Sequence, residues 1–227
     1  MSPSDEMELR NMVMTCADFD DGPTVLRYPR GTGYGAEKLQ NLFGYELENG
    51  EIPAKGSIVP IGKGRIVRRP GGHDANGSAN TRGRSRENRV AILTIGTRLH
   101  EALIAANEVE AADSSLGVTV ADARFMKPLD IDLIRELVDE NSVIITVEEG
   151  SIGGFGDHVM HFLTNDGAFD EGNLKFRPMV LPDTYFEAGT QKEQYDMAGL
   201  NSEHIVDMLQ KLTTRIKVPV LEEQKQS

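Results

Sequence analysis

Between Arg89 and Leu212 two kinds of apolar pattern alternate along the chain, and no other feature limits its fold as severely. RVAILTIG (89–96), GVTVADA (117–123), SVIITVEE (142–149) and FRPMVLP (176–182) are short, nearly continuous apolar runs, the signature of strands buried on both faces. The stretches between and after them repeat apolar residues every three or four positions instead. In TRLHEALIAANEVEAAD (97–113) the stripe is Leu99, Ala102, Leu103 and Ala106. In DIDLIRELVDEN (130–141), capped by Asp130, it is Leu133, Ile134, Leu137 and Val138. GDHVMHFLTN (156–165) is a third helix, and NSEHIVDMLQKL (201–212) a fourth with Ile205, Met208, Leu209 and Leu212 inward. Strands joined by helices of about 10–15 residues imply right-handed βαβ crossovers, which cover both faces of a parallel sheet with helices. The fold class is therefore α/β: a three-layer α/β/α domain with a mainly parallel sheet over residues 89–215.

The first 45 residues are patterned differently. Leu9, Met12, Val13 and Cys16 make an apolar helical stripe, preceded by Ser2 as N-cap, Pro3 at the first helical position and Asp5 in the first turn. A turn at DFDDGP (18–23) and a short strand, TVLRY (24–28), follow. One helix and one strand cannot build a core, so residues 1–45 read as the end of a second domain and Cys16 as an inert core thiol. Residues 46–88 read as a linker. It has turn signals in ENGEIPAKG (48–56), a β-rich SIVPIGKGRIVRR (57–69), and then PGGHDANGSANTRGRSREN (70–88), nearly devoid of apolar side chains and expected to be a mobile loop. Residues 216–227 form a tail.

Charge decides between classes of partner. A formal net charge of −12 over 227 residues repels phosphate backbones and anionic membranes. From Lys63 to Arg89 eight Lys and Arg stand against Asp74 and Glu87, yet no aromatic residue is there to stack on a base. That stretch reads as a solvated insertion, and no nucleic-acid partner is expected. No apolar run nears the roughly 20 residues a membrane span needs, so no membrane partner is expected either. MSPSDEMELR is neither a secretory signal nor an Arg-rich transit peptide. The single cysteine rules out an internal disulfide and suits a reducing compartment.

No catalytic or metal-binding residue is assigned from motifs. His158 and His161 have no accompanying HExxH or CxxC, no G-x-S-x-G elbow occurs, and IGKGR (61–65) is a turn rather than a phosphate loop. Two stretches hold more chemistry. VEEGSIGGFG (147–156) places two acids and four glycines between a strand's carboxyl end and a helix, where open α/β sheets bind ligands. Its G-x-x-G-G-x-G spacing matches neither the dinucleotide nor the P-loop pattern, and a tight strand-to-helix connection explains it better. VLRYPRGTGYG (25–35) sets Arg27 and Arg30 around a stiff Tyr28-Pro29 step ahead of three glycines. Arginine's planar fork suits a phosphate or carboxylate, and the same pattern also fits a solvated turn at a strand end.

Taken in order, DGPTVLRYPRGTGYG (21–35), IGKGRIV (61–67), VADARFMKPLD (120–130), ITVEEGSIGGFGDHV (145–159) and VLPDTYFEAGTQKEQYDMAGL (180–200) resemble the 1-deoxy-D-xylulose-5-phosphate synthase family, transketolase-like enzymes, in its plant, algal and cyanobacterial wording. The resemblance runs from Ser2 to about Leu212. It implies a transferase dependent on thiamine diphosphate and Mg²⁺, which decarboxylates pyruvate and joins the two-carbon unit to glyceraldehyde 3-phosphate at the start of the non-mevalonate route to isoprenoids. It also implies a homodimer, in the plastid stroma of a eukaryote or the cytoplasm of a bacterium. Residues 1–45 would be the last helix and strand of the pyrimidine-binding domain, and 89–215 the transketolase C-terminal domain. Arg30, with Arg27 in support, would bind the phosphate of glyceraldehyde 3-phosphate. The family's Gly-Asp-Gly metal and diphosphate motif has no counterpart here, nor has the segment with its cofactor-activating glutamate and proton-handling histidines. The expectation is a C-terminal fragment that holds no thiamine diphosphate tightly and turns over nothing alone. A non-catalytic dimerisation module and one subunit of a split thiamine enzyme are the alternatives.

Overall fold

The computed structural model describes residues 1–71 and 85–213, so most of the 70–88 loop and the 216–227 tail lie outside the described residues. In chain order the elements are α1 (Glu6–Asp18), α2 (Ala36–Asn41), β1 (Arg65–Arg68), β2 (Arg89–Thr94), α3 (Leu99–Ala112), β3 (Gly117–Asp122), α4 (Ile131–Glu140), β4 (Val143–Ser151), α5 (Phe155–Asn165), β5 (Lys175–Leu181), α6 (Gln191–Met197) and α7 (Ser202–Leu212). The strands form one sheet, β1-β3-β2-β4-β5, parallel except where β1 pairs antiparallel with β3. Side chains of β2 alternate between two cores. Val90 and Ile92 pack with Leu103 of α3 and Leu209 of α7, while Ala91 and Leu93 pack with Leu137 of α4 and Val159 of α5. Both faces are thus dry, which is why these strands show no polar alternation. The three-layer, mainly parallel α/β architecture is the one expected.

The amino-terminal part corrects the sequence reading. α1 starts at Glu6, and its N-cap is Asp5 rather than Ser2: the Asp5 carboxylate accepts the N–H groups of Met7 (2.8 Å) and Glu8 (2.9 Å). Its buried face is Glu8, Met12 and Thr15, while Val13 is exposed and Cys16 half-buried. The helix is turned this way because what it docks on is polar. Thr15 Oγ1 accepts the N–H of Val59 (2.8 Å), Asn11 Oδ1 accepts that of Ser57 (2.8 Å), and Glu8 enters a cluster of ions against β1 and β3. TVLRY is no sheet strand. Among the described residues its backbone pairs with Met1 alone, Arg27 N–H to Met1 O (3.0 Å) and Met1 N to Val25 O (2.9 Å), and β-propensity cannot make a strand without a neighbour.

Residues 65–68, inside the stretch read as a linker, form the sheet's antiparallel edge. Leu39, Phe43 and Leu47 join the α3–α7 core, so the amino-terminal part packs on the sheet domain. Arg68, read as solvated, is buried: its guanidinium donates to Glu110 (2.6 Å) and to the Val118 carbonyl (2.7 Å). Arg69 pairs with Glu136 and Glu140.

Gly56 lies flat on α1. A Cβ there would overlap the Arg10 carbonyl and approach Asn11 N to 2.7 Å, and helix backbone cannot swing aside. Gly56→Ala is expected to lower the free energy of unfolding by about 2–3 kcal/mol in urea titrations. Gly22→Ala, in open space, is the control expected to change it little.

Candidate functional site

From β2 the chain crosses to β3 with α3 on one face of the sheet, whereas β4 and β5 lie on the other side of β2 with α5 on the opposite face. Connections departing in opposite directions open a crevice at the carboxyl ends of β2 and β4, the place where open α/β sheets take ligands. Three stretches far apart in sequence meet there. Arg27 Nη2 donates to the Glu149 carbonyl (3.0 Å), and Gln191 Nε2 donates to the Arg30 carbonyl (2.6 Å), so the RYPRG segment is held at one end by a side chain and at the other by its backbone.

Glu149 is the hub. The Thr97 hydroxyl donates to its carboxylate, and Arg98 Nε lies 3.3 Å from its Oε1. Arg98 is buried, with its guanidinium 3.6 Å from the centroid of the Tyr195 ring. Burial first, then the charge and hydrogen bond of Glu149, push the Tyr195 hydroxyl up to about 12, so it stays a neutral phenol at ordinary pH. A cavity of about 190 Å³ lies between the 28–34 turn, Thr97, Arg98, Gln191 and Tyr195. That is the liquid volume of roughly six waters. The turn itself is pinned by Glu6, whose carboxylate accepts the N–H groups of Tyr34 (3.0 Å) and Gly35 (2.6 Å).

The two arginines singled out by sequence part company here. Arg30 is exposed, between the cavity residues Pro29 and Gly31, and no ion pair holds its guanidinium among the described residues. Arg27 is also exposed but turns to Glu149 and lines a second, larger cavity.

The glycine loop of VEEGSIGGFG is a tight connection from β4 to α5. Glu148, buried, folds back so that Oε2 accepts the N–H of Phe155 (2.9 Å) and Oε1 that of Gly156 (2.7 Å). The helix N-terminus that could hold an anionic ligand is thereby filled by the chain's own carboxylate. His158 and His161 belong to no group with metal-like spacing among the described residues. Among the described residues the ligand atoms of Asp196, Glu203 and His204 do lie within 4.8 Å of one another, at the surface.

The family model described as transketolase, C-terminal domain, matches residues 77–205, more than half of the chain. The chain belongs to the transketolase C-terminal domain family. A solved structure described as "Split gene transketolase, inactive beta4 tetramer" shares its fold with a TM-score of 0.66 at 22% identity, over 95% of this chain. This chain spans 58% of the length of that one.

Within this transketolase C-terminal domain, Arg98, Glu149 and Tyr195 are site residues that sequence reasoning did not assign. IGTRL offers no motif at Arg98, and only the sheet topology brings it to Glu149. α6, which carries Gln191 and Tyr195, did leave a signal: Thr190 and Glu193 form a reciprocal capping box, legible as T-x-x-E. Among the described residues no helix is long and apolar enough to cross a membrane.

Proposed function

We propose that this chain forms the C-terminal portion of a 1-deoxy-D-xylulose-5-phosphate synthase and presents Arg30 to the phosphate of glyceraldehyde 3-phosphate. One observation carries the reading. Residues of two other family-like stretches hold the RYPRG segment, Glu149 by the Arg27 side chain and Gln191 by the Arg30 carbonyl, and the exposed Arg30, between the cavity residues Pro29 and Gly31, has no ion pair among the described residues. Arg27 then fixes the turn through Glu149, and Arg30 offers its planar fork to the phosphate. In this reading residues 1–45 belong to a pyrimidine-binding domain, 89–215 are the C-terminal domain, and 46–88 connect the two while lending the sheet its edge strand at 65–68. The working enzyme is a homodimer, stromal in a plastid-bearing cell or cytoplasmic in a bacterium.

Thiamine diphosphate and Mg²⁺ supply the carbanion chemistry of the resembled family, and the described residues do not fit them. The α5 N-terminus carries Glu148, which repels a diphosphate, and the Asp196 group lies on a different pair of helices at the surface. No step through the cofactor is assigned to this chain; its own part is to hold and orient the acceptor.

Joined in frame to a thiamine-diphosphate-binding half of the family, the chain is expected to consume pyruvate and glyceraldehyde 3-phosphate. Arg30→Ala is expected to raise KM for glyceraldehyde 3-phosphate by roughly 10- to 150-fold, the equivalent of about 1.5–3 kcal/mol for a lost charge-assisted contact, and to leave that for pyruvate nearly unchanged. Equal effects on both substrates would refute the assignment. The fold likeness to a split-gene transketolase favours a second reading, in which the chain is one subunit of a split enzyme. Under that reading the two halves, expressed as separate polypeptides, co-purify and work without a covalent join.

A further inference from the structure

Beyond the 23–27 segment, at the same end of the sheet, lies the larger cavity, of about 540 Å³. Its size falls within the roughly 300–1,000 Å³ of small-molecule pockets. Ile95 enters it just past β2, Phe125 and Met126 just past β3, and Phe155 from the start of α5, while Val25 and Ile61 border it from the amino-terminal part. Val25 is 76% exposed and Ile61 38%, an apolar rim left in water.

Three charged side chains line this apolar chamber, Arg27, Lys127 and Glu148, and Met1, whose ammonium donates to the Val25 carbonyl (2.9 Å), lines it as well. Glu148 is already committed to the N–H groups of Phe155 and Gly156, where the α5 dipole offsets its charge. The two side-chain cations have no such counterpart. Elsewhere at the carboxyl end of the sheet, Arg65, Arg98 and Arg124 each lie within 4 Å of a carboxylate. Among the described residues Arg27 meets a backbone carbonyl instead, and Lys127, exposed, forms no ion pair. An apolar chamber with an uncompensated positive rim, in a chain of net charge −12, selects for charge as well as for hydrophobicity.

We propose that this cavity binds a small organic anion with an apolar body, its charged head at Lys127 and Arg27 and its hydrocarbon against Ile95, Phe125 and Met126. The inference does not depend on the acceptor-phosphate reading, since its readout is binding to the chain itself rather than turnover.

The probe is 8-anilinonaphthalene-1-sulfonate, compared with N-phenyl-1-naphthylamine, which has the same aromatic body without the sulfonate. One saturable fluorescent site per chain is expected, at least tenfold tighter for the sulfonate than for the neutral probe. Ile61→Trp, which fills the chamber, and Lys127→Glu, which reverses the rim on an exposed side chain, are each expected to weaken the sulfonate at least tenfold. Val13→Trp, on the exposed face of α1, is expected to leave it unchanged. Non-saturable binding, equal affinity for both probes, or indifference to Lys127→Glu would each overturn the proposal, whether or not Ile61→Trp folds. So would loss of the site as chains associate at higher concentration, followed by sedimentation, because the cavity would then be an interface between copies.

Discussion

Arg65→Met is expected to remove about 3–5 kcal/mol of stability at pH 7, a large share of what holds a domain of this size folded. The Arg65 guanidinium lies 3.8 Å from Asp5, 3.6 Å from Glu8 and 3.9 Å from Asp122, all three side chains buried, and it bonds the Tyr45 hydroxyl at 2.6 Å. Arg124, 2.7 Å from Glu8, is the second cation of the cluster. Methionine keeps most of the volume but leaves three buried carboxylates facing one guanidinium. Asp122 gives the loss a pH signature. Burial, with Glu8 adding to it and Arg65 opposing it, raises its carboxyl to about 6 from 3.8. A folded value above the unfolded one means that its contribution is complete below about pH 4 and is lost as pH rises through about 6. With Arg65 gone that carboxyl climbs further, so the deficit of Arg65→Met should be greatest at pH 7–8 and shrink toward pH 5 in urea titrations. Adding Glu8→Gln removes one of the three negative charges and is expected to recover part of the loss. Simple additivity of the two changes would show that the cluster does not act as a unit.

This cluster also reaches the site. It seats α1 and Tyr45 against β1 and β3, and α1 in turn holds the glycine turn of residues 33–35 through Glu6. Placement of the RYPRG segment therefore depends on ionised groups some distance from the crevice. Loosening α1 by Arg65→Met should disturb that turn before it disturbs the parallel strands.

How much of this was legible follows from what each element is made of. Strands β2 to β5 announce themselves because residues such as Val90, Ile92 and Ile145 are buried on a two-faced sheet and need no polar partners. α4 is as plain, with Asp130 accepting the Leu133 N–H at its start. α1 misleads because its inner face is set by Glu8 and Thr15, whose burial is made tolerable by partners more than a hundred residues away in one case, Arg124. TVLRY misleads because strand formation belongs to a pair and not to one segment. At the crevice, Arg27 and Arg30 stood out from local chemistry, whereas Arg98 became visible only when the crossovers carried it to Glu149 and Tyr195.

Glu148→Ala is the second change expected to be costly, at about 3 kcal/mol. Its two oxygens serve two buried donors, Phe155 N–H and Gly156 N–H, at the positive end of α5, and alanine orphans both. The glycines of the loop exist to admit this side chain: a Cβ on Gly150 or Gly154 would overlap the Glu148 carboxylate. Glu148→Gln should cost less than alanine, since its single carbonyl oxygen still serves one donor while its amide faces the other donor with hydrogens. A discriminating test is chemical rescue. In Glu148→Ala the vacated slot is a helix N-terminus open to the larger cavity, so tens of millimolar formate should raise its Tm while leaving Glu148→Gln, where the slot stays filled, unmoved. If formate stabilises both variants equally, the carboxylate is not what the α5 N-terminus requires, and the loop is held by its backbone alone.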